Sequence, residues 1–254
     1  MKKVQLLIIG ATVLGTAAAL RKKDVMIIEN SMLCGAEFVQ AYRKTKVDMS
    51  LISDVSELSE PMKNMNIISD DGYVHLLPVG GVLASLLLKN DIDVSFFTQV
   101  FEIKKTDSGF VIKVSNENGI ETVFAERILD TTSNGSMHCL FEEYDVRKSV
   151  CATLAGPSGE ATDDYSFIRG RFDNETILEL NVDKNCTFGE ARCKINKLWQ
   201  DIHKKLPKTR FATCAQRFAY EFPEAVKREV MPGWTWQPSV SYGDLFTAFK
   251  EGLS

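Results

Sequence analysis

The stretch Val4-Gln5-Leu6-Leu7-Ile8-Ile9-Gly10-Ala11-Thr12-Val13-Leu14-Gly15 decides how the chain is read. Its apolar run, glycine turn and following small residues predict a buried strand over 4–9 and a helix over Val13–Leu20. A second apolar strand follows over 24–29, so the chain opens as a β-α-β unit. The competing reading is a signal peptide or short membrane anchor, because basic residues flank the stretch at Lys2-Lys3 and Arg21-Lys22-Lys23. Gly10 and Gly15 interrupt it, and its length of about 17 residues is at the lower limit for crossing a bilayer. No other segment is apolar enough to span, so the expectation is a cytoplasmic protein without a membrane partner.

The spacing of Gly10, Thr12 and Gly15 is that of G-x-G-x-x-G, with Thr12 where the second glycine belongs. Gly10 permits the tight strand-to-helix turn, and Gly15 lets the helix pack closely on the sheet. Between them the backbone approaches a pyrophosphate seated on the helix N-terminus, which Val13 opens. The Thr12 hydroxyl can donate a hydrogen bond to a phosphate oxygen; its bulk can equally push the phosphate away. Glu29 ends the second strand about 19 residues after Gly10, where an acid bonds a ribose hydroxyl, with Asn30 beside it. An acid there disfavours a 2′-phosphate, hence NADP.

Composition bounds the rest. The chain has 254 residues, 44% hydrophobic and 25% charged, which is globular composition and excludes disorder. Thirty Lys and Arg against 34 Asp and Glu leave a net charge of −4, which speaks against a nucleic-acid partner. Six cysteines, at 34, 139, 151, 186, 193 and 214, form no C-x-x-C pair. They read as buried free thiols in a reducing compartment rather than a disulfide framework or a zinc site.

A plain NAD domain continues with alternating helices and parallel strands. Here a helix-like stretch at 32–42 and a polar segment at 44–71 precede Pro78, which opens an apolar helix over 82–89. Three β-rich runs then follow at 93–104, 110–115 and 122–129. Asp107-Ser108-Gly109 and Asn116-Glu117-Asn118-Gly119 separate them, and both are hairpin chemistry. The third run ends in Asp130-Thr131-Thr132-Ser133-Asn134-Gly135.

These features resemble the FAD-dependent oxidoreductases with a glutathione-reductase-type flavin domain, over about residues 1–136. In that family a three-stranded β-meander replaces the usual crossover. The resemblance makes Val100 the residue whose strand brackets the adenine, and matches 128–135 to the family's D-A-T-G-D-G turn. The match departs at Thr131, Ser133 and Asn134, while Asp130 and Thr132 keep the pattern. Cys34-Gly35 stands where the family has two glycines. The fold this implies is α/β: an FAD/NAD(P)-binding Rossmann-like domain with a β-meander, formed by 1–144 with 238–254, and a small α+β second domain over 145–237. The family's closing Gly-Asp pair matches Gly243-Asp244, so Asp244 is a candidate for the flavin ribityl chain; it reads equally as the cap of the last helix, over 245–251.

The second domain reads as a strand over 149–155, a hairpin of 167–172 and 175–182 around Asp173-Asn174, an amphipathic helix over 190–206 and a further strand within 211–222. It is short for the family, so the resemblance implies a flavin ring that is either open to solvent or covered by a partner subunit or a second copy. Trp234 and Trp236 are weak support for such an interface, though tryptophans are more often core. His203 falls on the polar side of its helix. His138 and Cys139 follow the flavin-like turn, and His75 lies in a stretch that in the family runs near the flavin ring. Nothing has metal-ligand spacing, and no G-x-S-x-G elbow occurs. Flavin chemistry needs no protein nucleophile. The leading expectation is therefore an FAD-dependent oxidoreductase, or the flavin-bearing subunit of one, taking a hydride from a small organic substrate. The second is a non-catalytic or degenerate nucleotide-binding subunit that assembles with a partner enzyme chain. The third, an NAD-dependent reductase, is opposed by the meander.

Overall fold

The computed structural model describes residues 1–137 and 140–254, and its larger sheet grows from the apolar runs at the start of the chain. β1 (Lys2–Ile9) lies between β2 (Val25–Ile28) and β6 (Gly119–Asp130), parallel to both. β3 (Asp93–Ser95) continues the parallel set beyond β2. Val25, Met26, Ile27 and Ile28 are all buried, as a strand covered on both faces requires. The meander is β4 (Gln99–Thr106), β5 (Gly109–Asn116) and β6, paired antiparallel in sequence. The single β run expected over 93–104 is broken at Phe97, whose φ of 50° turns the chain sharply between β3 and β4.

Helix α1 (Val13–Leu20) packs on the sheet and on α6 (Leu245–Leu253). That contact is built from small residues: a Cβ on Gly252 would lie 2.4 Å from the Leu14 carbonyl oxygen. The helix-like stretch at 32–42 reduces to the short α2 (Ala36–Val39). The polar segment contains an unexpected helix, α3 (Ser56–Asn64), which buries only Leu58, Ser59 and Met62. Helix α4 (Val79–Lys89) starts where Pro78 places it.

The second sheet is antiparallel, in the order β10 (Arg210–Cys214), β7 (Arg147–Ala155), β9 (Glu175–Val182), β8 (Tyr165–Arg169), with β11 (Ala219–Glu221) also on β7. Helix α5 (Phe188–Ile202), closed by a Thr187–Glu190 capping box, covers one face through Ala191 and Ile195. On the other face Cys151, Ile177, Ala215 and Ala219 join the core under the first sheet.

One boundary needs correction. β12 (Arg228–Met231) and β13 (Trp234–Trp236) belong to the first sheet, with β13 parallel to β6. Strands 228–231 and 234–236, expected in the second domain, thus pair into the first sheet. Trp234 and Trp236 are buried, so they are core and lend no support to an interface. Among the described residues no helix is long and apolar enough to cross a membrane.

Candidate active site

Register places the site. Ile9 pairs with Ile28 on one side and Asp130 on the other, and Asp130 pairs with Trp236. Four parallel strands therefore end at one level, at the point where the chain order reverses across β1, and open α/β sheets bind ligands there. A cleft of about 410 Å³ lies at these ends. Gly10, Thr12, Glu29, Asn30, Val100 and Thr132 line it from the first sheet, with Glu37, Ser133 and Asn134. Gln216, Arg217, Phe218 and Tyr220 close it from the second.

The glycine turn is held from within. Gly10 has φ +100°, and a Cβ on Gly15 would lie 2.4 Å from the Gly10 carbonyl oxygen, so both positions demand glycine. The Gly15 amide donates to Thr12 Oγ1 at 2.9 Å, and Thr12 Oγ1 donates to Thr131 Oγ1 at 2.7 Å. Thr131 Oγ1 in turn donates to the carbonyls of Ile9 and Gly10. Thr12 is thus the N-cap of α1, and its hydroxyl is committed to the fold.

Glu29 is likewise engaged. Its Oε2 accepts from the Ala11 amide at 2.9 Å and its Oε1 from the Ser31 amide at 2.8 Å. Arg217, reaching across from the second sheet, donates to Asn30 Oδ1 at 2.8 Å and to Gln40 Oε1 at 3.0 Å, and its Nη2 lies 3.5 Å from Glu29 Oε1. A carboxylate has about four lone-pair positions, so Glu29 keeps acceptor capacity for a hydroxyl. Cys34 and Gly35 lie behind this wall. The Gly35 amide donates to the Ala11 carbonyl, and a Cβ there would meet Leu83 at 2.7 Å. Burial, with the charges of Glu29 and Glu37, pushes the Cys34 thiol up to about 12, which removes it as a nucleophile at neutral pH.

Glu37 is the residue that sequence reasoning missed. Its Oε1 accepts from the Val13 amide and from Ser239 Oγ, both at 2.8 Å, and the Leu14 amide donates to the same Ser239 hydroxyl at 3.3 Å. Its Oε2 has no hydrogen-bond partner. Burial pushes the carboxyl up from 4.5 to about 7, against the lowering effect of the Val13 amide and Ser239. The only signal in the sequence is one acid inside the apolar run Ala36, Phe38, Val39.

Asp130 organises the next loop. Its Oδ1 accepts from the Thr132 amide and hydroxyl, and its Oδ2 from the Ser136 amide and hydroxyl. Burial nonetheless pushes its carboxyl up. Trp236 Nε1 fixes the same loop by donating to the Thr132 carbonyl at 2.9 Å. Asp244 is not among the residues lining the cleft. Its Oδ1 accepts from the Phe246 and Thr247 amides, so of its two readings it takes the helix cap.

The remaining candidates also lie elsewhere. His75 Nδ1 contacts Glu175 Oε1 at 2.7 Å, joining the first unit to β9 away from the cleft. His203 Nδ1 bonds the Gln200 carbonyl on the exposed end of α5. His138 and Cys139 fall outside the described residues. Among the described residues Cys34, Cys151, Cys186 and Cys214 are buried free thiols, Cys193 is an exposed one, and no cluster could hold a metal ion.

Sheet, meander and cleft together define a Rossmann-like α/β protein of the dinucleotide-binding architecture. No protein-family model and no curated protein matches the sequence. Solved structures do match the fold. A geranylgeranyl bacteriochlorophyll reductase-like protein from Thermoplasma acidophilum superposes with a TM-score of 0.68 at 14% identity, over 100% of this chain and 77% of that one. Glycine oxidase from Geobacillus kaustophilus gives 0.65 at 13% identity, over 100% and 93%. A flavoprotein/dehydrogenase from Cytophaga hutchinsonii gives 0.59 at 14% identity, over 99% and 76%. At such identities the likeness is one of fold.

Proposed function

We propose that the chain is an FAD-dependent oxidoreductase, or the flavin-bearing subunit of one, that takes a hydride from a small organic substrate. The observation that carries this reading is the cleft, where the Gly10 turn, Glu29, Val100 and the 132–134 loop meet at the ends of the parallel strands under a lid of Arg217, Phe218 and Tyr220. A reductase-like protein, an oxidase and a flavoprotein/dehydrogenase sharing the fold support it.

The lining fits a dinucleotide. Gly10 brings the backbone to the cleft at a φ that other residues avoid. Glu29 keeps acceptor capacity for ribose hydroxyls, with Asn30 beside it, and Val100 offers an apolar wall to a base. Arg217 supplies a cation from the second sheet. Val13, Gly15, Gly35, Asp130 and Thr131 support these residues from behind. Asp244, as a helix cap, is not in this set. When bound, FAD supplies the hydride acceptor. The protein's part is to bind and orient it, and to close one side of the cleft with aromatic residues.

Absorption spectra of protein purified from cells, followed by denaturation and chromatography of the supernatant, test the reading. Flavin bands near ~450 nm and about one FAD per chain, native or after titration with FAD, are the expected result. A second reading, a nucleotide-free subunit that assembles with a partner enzyme chain, draws on one fact: Glu29, Glu37, Ser239 and Thr12 already accept from the amides of Ala11, Val13, Leu14 and Gly15. Colourless protein that takes up no FAD overturns the first reading in favour of the second.

A further inference from the structure

The N-terminus of α1 is where a dinucleotide diphosphate meets the fold, and here it already holds a carboxyl. Glu37 Oε1 receives the Val13 amide, from the first turn of the helix, and the Ser239 hydroxyl. These two donors go to one oxygen, and the Glu37 backbone amide further favours the ionised carboxyl without outweighing its burial. Oε2, in a residue only 5% exposed, has no hydrogen-bond partner, although Glu37 lines the cleft. A carboxylate serving only as a helix cap would have both oxygens satisfied or solvated, because an ionised oxygen buried alone is costly. A neutral carboxyl explains the asymmetry: Oε1 is the carbonyl-type acceptor, and Oε2 carries the proton as an unused donor.

We propose that the cleft binds a dinucleotide diphosphate only when Glu37 is protonated, so that binding takes up one proton. The proposal rests on the dinucleotide reading of the cleft given above. Ionised, Glu37 places a negative charge on the helix N-terminus, cancels the field that attracts phosphate and repels the diphosphate. Protonated, it removes that charge.

Among the groups around it, Glu37 alone sits on the helix N-terminus; Asp130, at the end of β6 and also pushed up by burial, is held by the amides and hydroxyls of Thr132 and Ser136. Helix α1 carries no titratable residue. Glu29, at the end of β2, and Cys34, in the same loop, are the acidic neighbours, and the Cys34 thiol stays protonated. Arg43, buried just after α2, is a cation whose guanidinium burial lowers only to about 10. Arg217 faces Glu29 from the second sheet. Of the other packed elements, α4 offers only Lys89 at its far end, and the turn at Ser239–Tyr242 offers Tyr242, which burial pushes up. With the carboxyl raised to about 7, the linkage falls in the physiological range.

The test is FAD binding to apoprotein from about pH 6 to about pH 8.5, where the FAD diphosphate itself does not titrate, in wild type and Glu37→Gln. For the wild type, one linked proton weakens affinity by about tenfold per pH unit above about 7. Glu37→Gln keeps the acceptor for Val13 and Ser239 and is always neutral, so its affinity is flat across the range. Calorimetry at about pH 8 in two buffers of different ionisation enthalpy shows uptake approaching one proton per FAD in wild type and none in the variant. ADP-ribose, which carries the diphosphate without the flavin, repeats the wild-type slope. Binding that is independent of pH in wild type, or a slope unchanged in Glu37→Gln, overturns the proposal and leaves the dinucleotide reading standing. No binding of FAD or ADP-ribose by either protein at any pH overturns both.

Discussion

Replacing Glu37 by Gln also tests the buried carboxyl without any ligand. In the folded chain its pKa is raised from 4.5 to about 7, with burial as the leading cause. A raised carboxyl keeps its proton in the folded state over a range where the unfolded chain has released it. Its contribution to stability is therefore fully present below the unfolded value and is lost as pH rises through about 7. At about 1.36 kcal/mol per pH unit, keeping the ionised form buried costs the fold about 3 kcal/mol above neutrality. Between about pH 5.5 and about pH 8, where most of the loss occurs, the wild type should lose about 2 kcal/mol that the variant does not. The Gln side chain leaves an amide group where Oε2 was, with a fixed cost of about 1–3 kcal/mol if it finds no acceptor. The quantity to read is thus the change with pH of the difference between the two proteins, not the difference itself. Urea unfolding at both pH values, with matching m-values, supplies it. A stability gap that stays constant within about 0.5 kcal/mol refutes a neutral, buried Glu37.

Three other outcomes follow from the packing. Thr12→Val keeps the branched shape but removes the N-cap hydroxyl, and should cost about 1–2 kcal/mol in urea unfolding, while Thr12→Ser restores most of it. Gly252→Ala, far from the cleft, drives a methyl to 2.4 Å from the Leu14 carbonyl oxygen; it should destabilise by about 3 kcal/mol, as overpacking does, through separation of α1 and α6. Native-state alkylation followed by mass spectrometry should modify the exposed Cys193 and spare Cys34, Cys151 and Cys214, whose thiols burial pushes up; rapid modification of Cys34 would contradict its burial.

Much of the fold could be read along the chain because its signals are local. The apolar run of β1, the glycine turn and the run of β2 each declare themselves within ten residues, and the glycine-containing turns at 107–109 and 116–119 delimit the meander. What escaped lacks periodicity or breaks a rule. Helix α3 is polar and contains Pro61, a residue that normally argues against a helix interior, and it buries too little to show an apolar stripe. Strand β13 is three residues long, and its pairing with β6 is set by sheet register, not by alternation. That is why residues 228–236 carry no strand signal of their own, and why their tryptophans read as weak support for an interface.

The site divides in the same way. Gly10, Glu29 and Asn30 follow one another in the first turn and strand, so spacing alone brings them near one place. Glu37, Ser239 and Arg217 come to α1 and β2 from three separate parts of the chain, and only the folded sheets make them neighbours. Thr12 joins the two sets. Read as a fingerprint letter it is a defect, since it stands where backbone should approach phosphate. In the fold it caps α1 and donates a hydrogen bond to Thr131 Oγ1, so the turn is held by the chain's own groups. A turn that has satisfied its own amides through Thr12, Glu29, Ser239 and Glu37 gains less from a diphosphate than one that leaves them bare, because binding must exchange existing hydrogen bonds instead of adding new ones. Affinity for a dinucleotide then depends on whichever of these acceptors can be neutralised or displaced most easily. Thr12 and Ser239 are neutral and locked into hydroxyl networks, and Glu29 is held by two amides. That leaves Glu37, with one oxygen unpartnered and a carboxyl that changes charge near neutral pH, as the acceptor on which occupancy of the cleft turns.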